Sequence, residues 1–196
     1  MSQQRKFGTA LIDPPWDINQ RGNYGAIHHY DLMSLDRIKA MPVAGLMEEN
    51  SHIWLWIPTN LMEKGFEVVR AWGYEPKSVM VWIKPRMGLG QYLRSATEMV
   101  ILGVRGKAPI LCNNQPNWLF APFQGHSHKP EEQYAIIERC SPGPYLELFA
   151  RRRQLGWTIW GFEAPGGSDI DIPGYPVPNS PAARKLNQNP KGGEDA

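Results

Sequence analysis

Ala10-Leu11-Ile12-Asp13-Pro14-Pro15-Trp16 joins a short apolar run to two consecutive prolines. An apolar run that ends so abruptly reads as a buried strand stopped at its carboxyl end, because neither proline can donate to a ladder and each fixes its own φ. The residues beyond the stop are held stiffly at a strand end, which is where ligands sit in open α/β sheets. A rigid carboxylate, proline carbonyls without N–H groups of their own and an aromatic ring form a compact receptor for a planar amine. The carboxylate and a carbonyl can each accept one N–H of an exocyclic amino group, while the ring covers the face of the base.

That chemistry suits methyl transfer to the amino nitrogen of a nucleobase. The nitrogen is a poor nucleophile because its lone pair is delocalised into the ring. Two acceptors that fix its hydrogens draw it towards a tetrahedral geometry with the lone pair aimed at a methyl donor, and no covalent enzyme intermediate is needed. The competing reading of the same residues is a strand-terminating turn and nothing more.

Outward from this stretch, the polar residues 17–30 have no helical or strand period and read as a mobile loop beside the site. Ser34 is placed to cap a short helix through Ala40, stopped by Pro42. Strands are expected over 53–57, 79–84, 98–104, 146–150 and 157–160, and helices over 61–72, capped by Asn60, and from Pro130 to about Cys140. Met62, Phe66 and Val69 give the first of these helices one buried face, and Gly73 ends it. Residues 85–97 and 105–128 read as further long loops. From Ala164 onward Pro and Gly recur among polar residues, so the domain is drawn over 1–163 and the tail, 164–196, is expected to be extended or disordered. Alternating strands and helices with wholly apolar strands make the class α/β with a largely parallel sheet.

The 196 residues suit one domain, and 42% hydrophobic with 20% charged residues is a globular composition. A formal charge of +2 excludes a strongly basic nucleic-acid binder, so any contact with phosphates must rest on local clustering. Cys112 and Cys140 lack metal-ligand spacing and read as reduced thiols of a cytoplasmic protein. The polar stretch from Met1 to Lys6 has no signal-peptide core, and no apolar run reaches membrane-spanning length.

The ordered set of motifs resembles the DPPW-type adenine-N6 methyltransferases, the family that includes the catalytic subunit of the eukaryotic messenger-RNA adenosine methyltransferase and many small bacterial and phage enzymes. The likeness runs from about Phe7 to Glu163. It rests on Asp13-Pro14-Pro15-Trp16-Asp17, Tyr24-Gly25, Trp72-Gly73-Tyr74, Val81-Trp82-Ile83-Lys84 and Gly103-Val104-Arg105-Gly106, and further on Ser127-His128-Lys129-Pro130-Glu131, Ser141-Pro142-Gly143 and Glu147-Leu148-Phe149-Ala150-Arg151. The resemblance implies a Rossmann-like domain that uses S-adenosyl-L-methionine, with the catalytic strand preceding the cofactor strands in sequence. It assigns Asp13, Pro14, Pro15 and Trp16 to catalysis, and Asp13, Lys129 and Arg151 to the cofactor. A lysine just before a helix start could pair with the methionine carboxylate. Arg153 and Gln154 stand where the messenger-RNA enzymes carry His and Asn, and Phe162-Glu163 where they carry Asn-Gln; Glu163 is the candidate acceptor for ribose hydroxyls. Tyr24 and Glu98 match positions near the acceptor base, Trp16 is its candidate stacking partner, and Arg86, Arg94, Arg105 and Lys107 are candidate phosphate contacts.

The acceptor favoured is adenine in DNA, since the domain is short and carries no separate recognition module or RNA-binding aromatic signature. RNA is the alternative, as is a catalytically silent methyltransferase-fold partner, which would have no need of the Asp13 carboxylate. A homo- or heterodimer is compatible with the pattern. Gly88-Leu89-Gly90 as an oxidoreductase loop lacks the third glycine and does not open a helix. The Asp-Pro-Pro chemistry also serves cytosine N4 or a glutamine amide, and only the resemblance selects adenine. No metal is expected: His126, His128 and Cys112 have no ligand geometry, and the transfer needs none.

Overall fold

Phe7–Ile12 forms strand β1, and all six of its residues are buried. In the computed structural model, which describes residues 5–17, 32–88, 92–122, 125, 128–161 and 163–177, this strand lies inside a mixed sheet. Its partners are β2 (Met47–Ile57), β3 (Glu75–Ile83), β4 (Thr97–Arg105), β5 (Trp118–Phe120), β6 (Tyr145–Leu148) and β7 (Trp157–Trp160). Among the described residues the spatial order is β5-β3-β4-β2-β1-β6-β7. β1 pairs in parallel with β2 and β6, β6 with β7, and β3 with β5, whereas β4 runs antiparallel to both β2 and β3. The expected α/β class with a largely parallel sheet is therefore what forms, with β4 the reversed strand.

Burial on both faces follows from the alternation along each strand. Ala10, Ile12, Ile53, Leu55, Ile101 and Leu148 face one core, and Leu11, Trp54, Trp56, Met80, Trp82 and Val100 face the other. The first core is covered by α1 (Leu35–Lys39) and α3 (Met62–Ala71), the second by α4 (Glu132–Cys140). α3 lies directly on the sheet because Gly65 has no side chain; a Cβ there would sit 2.8 Å from Ile101 and 3.0 Å from Ile57. Ser34 caps α1 as expected, its hydroxyl accepting from the Arg37 N–H at 3.3 Å. Asn60 does not cap α3: a 3-10 turn, Thr59–Leu61, precedes the helix and makes Leu61 its first flanking residue.

Three further features of the fold depart from the sequence expectations. β5 lies within the supposedly irregular 105–128, because three residues of strand are too short to show a period and owe their conformation to pairing with β3. α2 (Val43–Leu46) is one turn with no side-chain cap. The segment 164–177 is neither extended nor disordered. Ala164 and Ile172 are buried, and Ile170, Tyr175 and Val177 pack against the first core. Its anchors are polar as well: Asp169 accepts the Ile159 N–H at 2.9 Å, and the Tyr175 hydroxyl donates to the Arg37 carbonyl at 3.1 Å. Such sparse apolar anchors between prolines and glycines leave no periodic signal. The remainder of the tail, 178–196, lies outside the described residues. Among the described residues no helix is long and apolar enough to cross a membrane.

Candidate active site

β1 ends at the middle of the sheet, and Asp13 is the first residue past it. Its N–H reaches the Leu148 carbonyl of β6 at 3.4 Å, and Pro14 then closes the ladder. Asp13 follows Leu11 by two residues, so both side chains point to the face on which α4 lies. Glu147, the register partner of Leu11 on β6, points there too. Leu11, Asp13, Trp56, Lys129, Glu147 and Arg151 line a small pocket of about 60 Å³ at these strand ends.

A chain of alternating charges crosses the site. Lys129 Nζ lies 2.8 Å from Asp13 Oδ2 and 3.3 Å from Glu98 Oε2, and Lys84 Nζ lies 2.5 Å from Glu98 Oε1. The Lys129 ammonium also sits 5.2 Å from the centre of the Trp56 ring. Burial disfavours its charge, but Asp13 and then Glu98 outweigh that and raise its pKa above the ordinary lysine value. Burial likewise opposes ionisation of Glu98, and Lys129 and Lys84 overcome it, holding the carboxyl below its usual range. The row Lys84, Glu98, Lys129 and Asp13 thus sets each cation against a carboxylate, partly shielded from water.

Glu147 behaves differently. Burial pushes its pKa up to about 7; the Tyr134 hydroxyl and Arg152 oppose the shift, and the Asp13 charge adds to it. The Tyr134 hydroxyl donates to Glu147 Oε2 at 2.8 Å, and its own pKa is raised, by burial first and then by Glu147. Gln133, one residue earlier on α4, accepts the indole N–H of Trp56 at 2.8 Å and so ties the helix to the sheet beside the pocket. Phe149, just past β6, adopts φ 66°, a left-handed conformation uncommon for a bulky residue, with its ring edge-on to Trp160 at 5.1 Å. Gly161 lets β7 lie flush against that turn: a Cβ there would fall 2.0 Å from the Ala150 carbonyl oxygen.

The expected site residues separate into groups. Asp13, Lys129, Glu98 and Arg151 converge. Arg151 also lies 3.8 Å from Glu163, which is more exposed. Pro14 is buried; its carbonyl accepts the Trp16 N–H at 2.9 Å, and that of Pro15 accepts the Met33 N–H at 2.8 Å, so each has one lone pair left. Trp16 is not a stacking platform. It is 6% exposed, belongs to the first core and donates its indole N–H to the Trp56 carbonyl at 3.0 Å. The chain past Pro15 bridges to Met33 and turns the ring inward, which the sequence does not reveal.

Arg153 fastens the 164–169 turn rather than the pocket, donating to Pro165 O at 2.7 Å, Asp169 Oδ1 at 2.9 Å and Gly167 O at 2.9 Å. Gln154 is half-buried and does not line the pocket. Arg86 and Arg94 are exposed in the connection between β3 and β4, at the Asp13 end of the sheet. Arg105 does not face a substrate phosphate: it lies at the opposite end, its guanidinium donating to the carbonyls of Ala44, Met47 and Glu48. Lys107 is at that end too, its backbone N–H held by Asn50. Tyr24 and Phe162 lie outside the described residues. Of the residues that sequence reasoning gave no role, Lys84, Gln133, Tyr134 and Glu147 belong to the site. A glutamate inside the apolar run Leu146-Glu147-Leu148 is the one signal that could have pointed there, since a charge in a buried strand needs a purpose.

A family model described as MT-A70 matches residues 7–163. A Medicago truncatula protein named "Putative N(6)-adenosine-methyltransferase MT-A70-like" is 32% identical over 177 residues, covering 85% of this chain and 28% of that protein. The human "N(6)-adenosine-methyltransferase catalytic subunit METTL3" is 31% identical over 173 residues, covering 82% of this chain and 29% of its own length. "Type II methyltransferase M.MunI" of Mycoplasma sp is 28% identical over 196 residues, covering 87% of this chain and 82% of its own. The chain thus spans under a third of the two eukaryotic relatives and most of the third.

Proposed function

The chain belongs to the MT-A70 family, and from that premise we propose that it transfers a methyl group from S-adenosyl-L-methionine to the exocyclic N6 of adenine in nucleic acid, with DNA as the acceptor. The observation that carries this reading is the Asp13 carboxylate, fixed at the end of the central strand and bound by Lys129 through Oδ2 at 2.8 Å. A carboxylate offers about four lone-pair sites, so Asp13 keeps capacity for an amine hydrogen, and the Pro14 carbonyl keeps a second lone pair for the other. Fixing both hydrogens turns the nitrogen lone pair out of conjugation, and the positive charge that develops on nitrogen faces the carboxylate. A catalytically silent partner would have no use for this carboxylate.

The donor set suits S-adenosyl-L-methionine, which when bound supplies a methyl group on a cationic sulfur. Lys129 has three N–H bonds, two of them directed at Asp13 and Glu98, so one remains for a carboxylate. Arg151 lines the same pocket. Glu163 is the candidate acceptor for ribose hydroxyls, a reading supported by its position 3.8 Å from Arg151, and Glu147 presents a second carboxyl to the pocket. Glu98 and Lys84 act through Lys129, holding its ammonium against Asp13.

DNA is preferred because the relative matched along most of its own length is a type II methyltransferase, whereas those named for adenosine methylation are matched over under a third of theirs. A target amine inside a duplex cannot reach Asp13, so the base must leave its stack, at a cost of a few kcal/mol. The test is to incubate the protein and donor with one adenine-containing sequence as duplex DNA, single-stranded DNA and RNA, and to identify modified nucleosides by mass spectrometry. N6-methyldeoxyadenosine, absent with folded Asp13→Asn, is the expected product. Methylation of the RNA alone would overturn DNA as acceptor, and a methylated cytosine would overturn adenine.

A further inference from the structure

On the same face of the sheet as the Asp13 pocket, but towards the opposite strand ends, lies a larger cavity of about 400 Å³. Its walls include Trp54, Met80, Leu102 and Ile110, and both cysteines of the chain, Cys112 and Cys140, line it. Cys140 is the last residue of α4 and is 2% exposed, while Cys112 is half-buried in the segment that crosses over the cavity and packs against the same core. The two backbones are joined beside the thiols, the Leu111 N–H donating to the Cys140 carbonyl at 2.8 Å. A disulfide needs its two cysteines side by side; the backbone bond at Leu111 brings Cys112 beside Cys140, and the two thiols lie within hydrogen-bonding reach. The Cys112 thiol donates to Asn114 Oδ1 at 2.9 Å, so its sulfur is already oriented by the segment. Burial first and then the neighbouring Cys112 raise the Cys140 pKa, so Cys140 rests as a thiol.

We propose that Cys112 and Cys140 form an oxidative modification site, a thiol pair that hydrogen peroxide converts into one intramolecular disulfide. Cys112 is the entry point, because it is the more accessible of the two sulfurs that line the cavity. The Cys112 sulfur attacks one peroxide oxygen; an S–O bond forms, the O–O bond breaks and water leaves with the thiol proton. The Cys140 sulfur then attacks the sulfenic sulfur; the S–S bond forms, the S–O bond breaks and a second water leaves. Two thiols lose two electrons and one peroxide gains them. The bond would pin the crossing segment to the carboxyl end of the helix whose other end carries Gln133, so the modified state is a stiffened α4. Neither thiol lines the Asp13 pocket, and the inference stands independently of the proposed reaction.

The experiment is to treat the full chain with a small molar excess of hydrogen peroxide, denature it without reductant, alkylate with N-ethylmaleimide and measure intact mass and linked peptides. The expected result is a chain lighter by two hydrogens that takes no alkyl group, with Cys112 and Cys140 in one linked peptide pair, reversed by dithiothreitol. In folded Cys140→Ser the reaction should stop at a Cys112 sulfenic acid that dimedone traps. Wild-type protein that instead keeps an alkylatable Cys140 while Cys112 over-oxidises, that links chain to chain, or that retains both free thiols would overturn the proposal, whatever the variant does.

Discussion

Replacing Lys129 by Met keeps the length of the side chain and removes the charge that binds Asp13 Oδ2 at 2.8 Å and Glu98 Oε2 at 3.3 Å. At an effective dielectric of about 20 each contact is a gross attraction of roughly 5–6 kcal/mol, most of which is offset by desolvating the ammonium. What the substitution exposes is the other side of that balance, because removing one partner of a buried pair leaves uncompensated charge and typically costs about 3–5 kcal/mol. Glu98 retains Lys84, and the lysine and both carboxylates keep 16–28% side-chain exposure, so the low end, about 3 kcal/mol, is expected. In a domain of this size that lowers the melting midpoint by roughly 6–12 °C. The loss must also depend on pH. The folded-state pKa of Glu98 is depressed, so its contribution is present above its ordinary 4.5 and disappears as pH falls through the folded value. Without Lys129 the depression is smaller, so wild type and variant should differ most near pH 7 and converge below about pH 4.5. Urea unfolding at pH 7 and pH 4 measures this, with Lys129→Arg as the charge-retaining control. An equal loss at both pH values would refute the electrostatic account and leave only lost packing.

Glu147 titrates the other way. Its pKa is raised from 4.5 to about 7, so the stability it contributes is complete below pH 4.5 and lost as pH rises through 7. Melting curves of Glu147→Gln should therefore lack a fall of about 3 kcal/mol that wild type shows between pH 5 and 8; parallel pH profiles would contradict a half-buried, reluctantly ionised Glu147. Trp16→Ala should cost about 3–5 kcal/mol of stability, because the ring is core rather than a platform for the base; a variant as stable as wild type that has lost nucleic-acid affinity would restore the stacking role. Ile172→Ala should cost about 2–4 kcal/mol in denaturant unfolding, as expected of a buried side chain, whereas an extended tail would show no change.

The sequence alone determined that β1 is a buried strand stopped at Asp13, because a wholly apolar run and two prolines permit little else, and this settled the place of the key carboxylate; the alternation of apolar strands with helices along the chain marked the α/β class. It also determined Lys129 as a partner of the site, through the motifs around it rather than through any period. Tertiary structure decided what those residues do to one another. Lys129 lies 116 positions from Asp13 in the chain and is brought to it only because β6 and α4 return beside β1. The inward turn of Trp16 depends on Met33, and the capture of Arg153 depends on a segment that composition marked as tail. Local sequence encodes conformational preference within a few residues, whereas ionisation, side-chain direction and burial are set by whatever the sheet places opposite. For that reason Asp13 was legible from its neighbours, and the charge chain through Glu98 and Lys84, the raised Glu147 and the buried Trp16 were not.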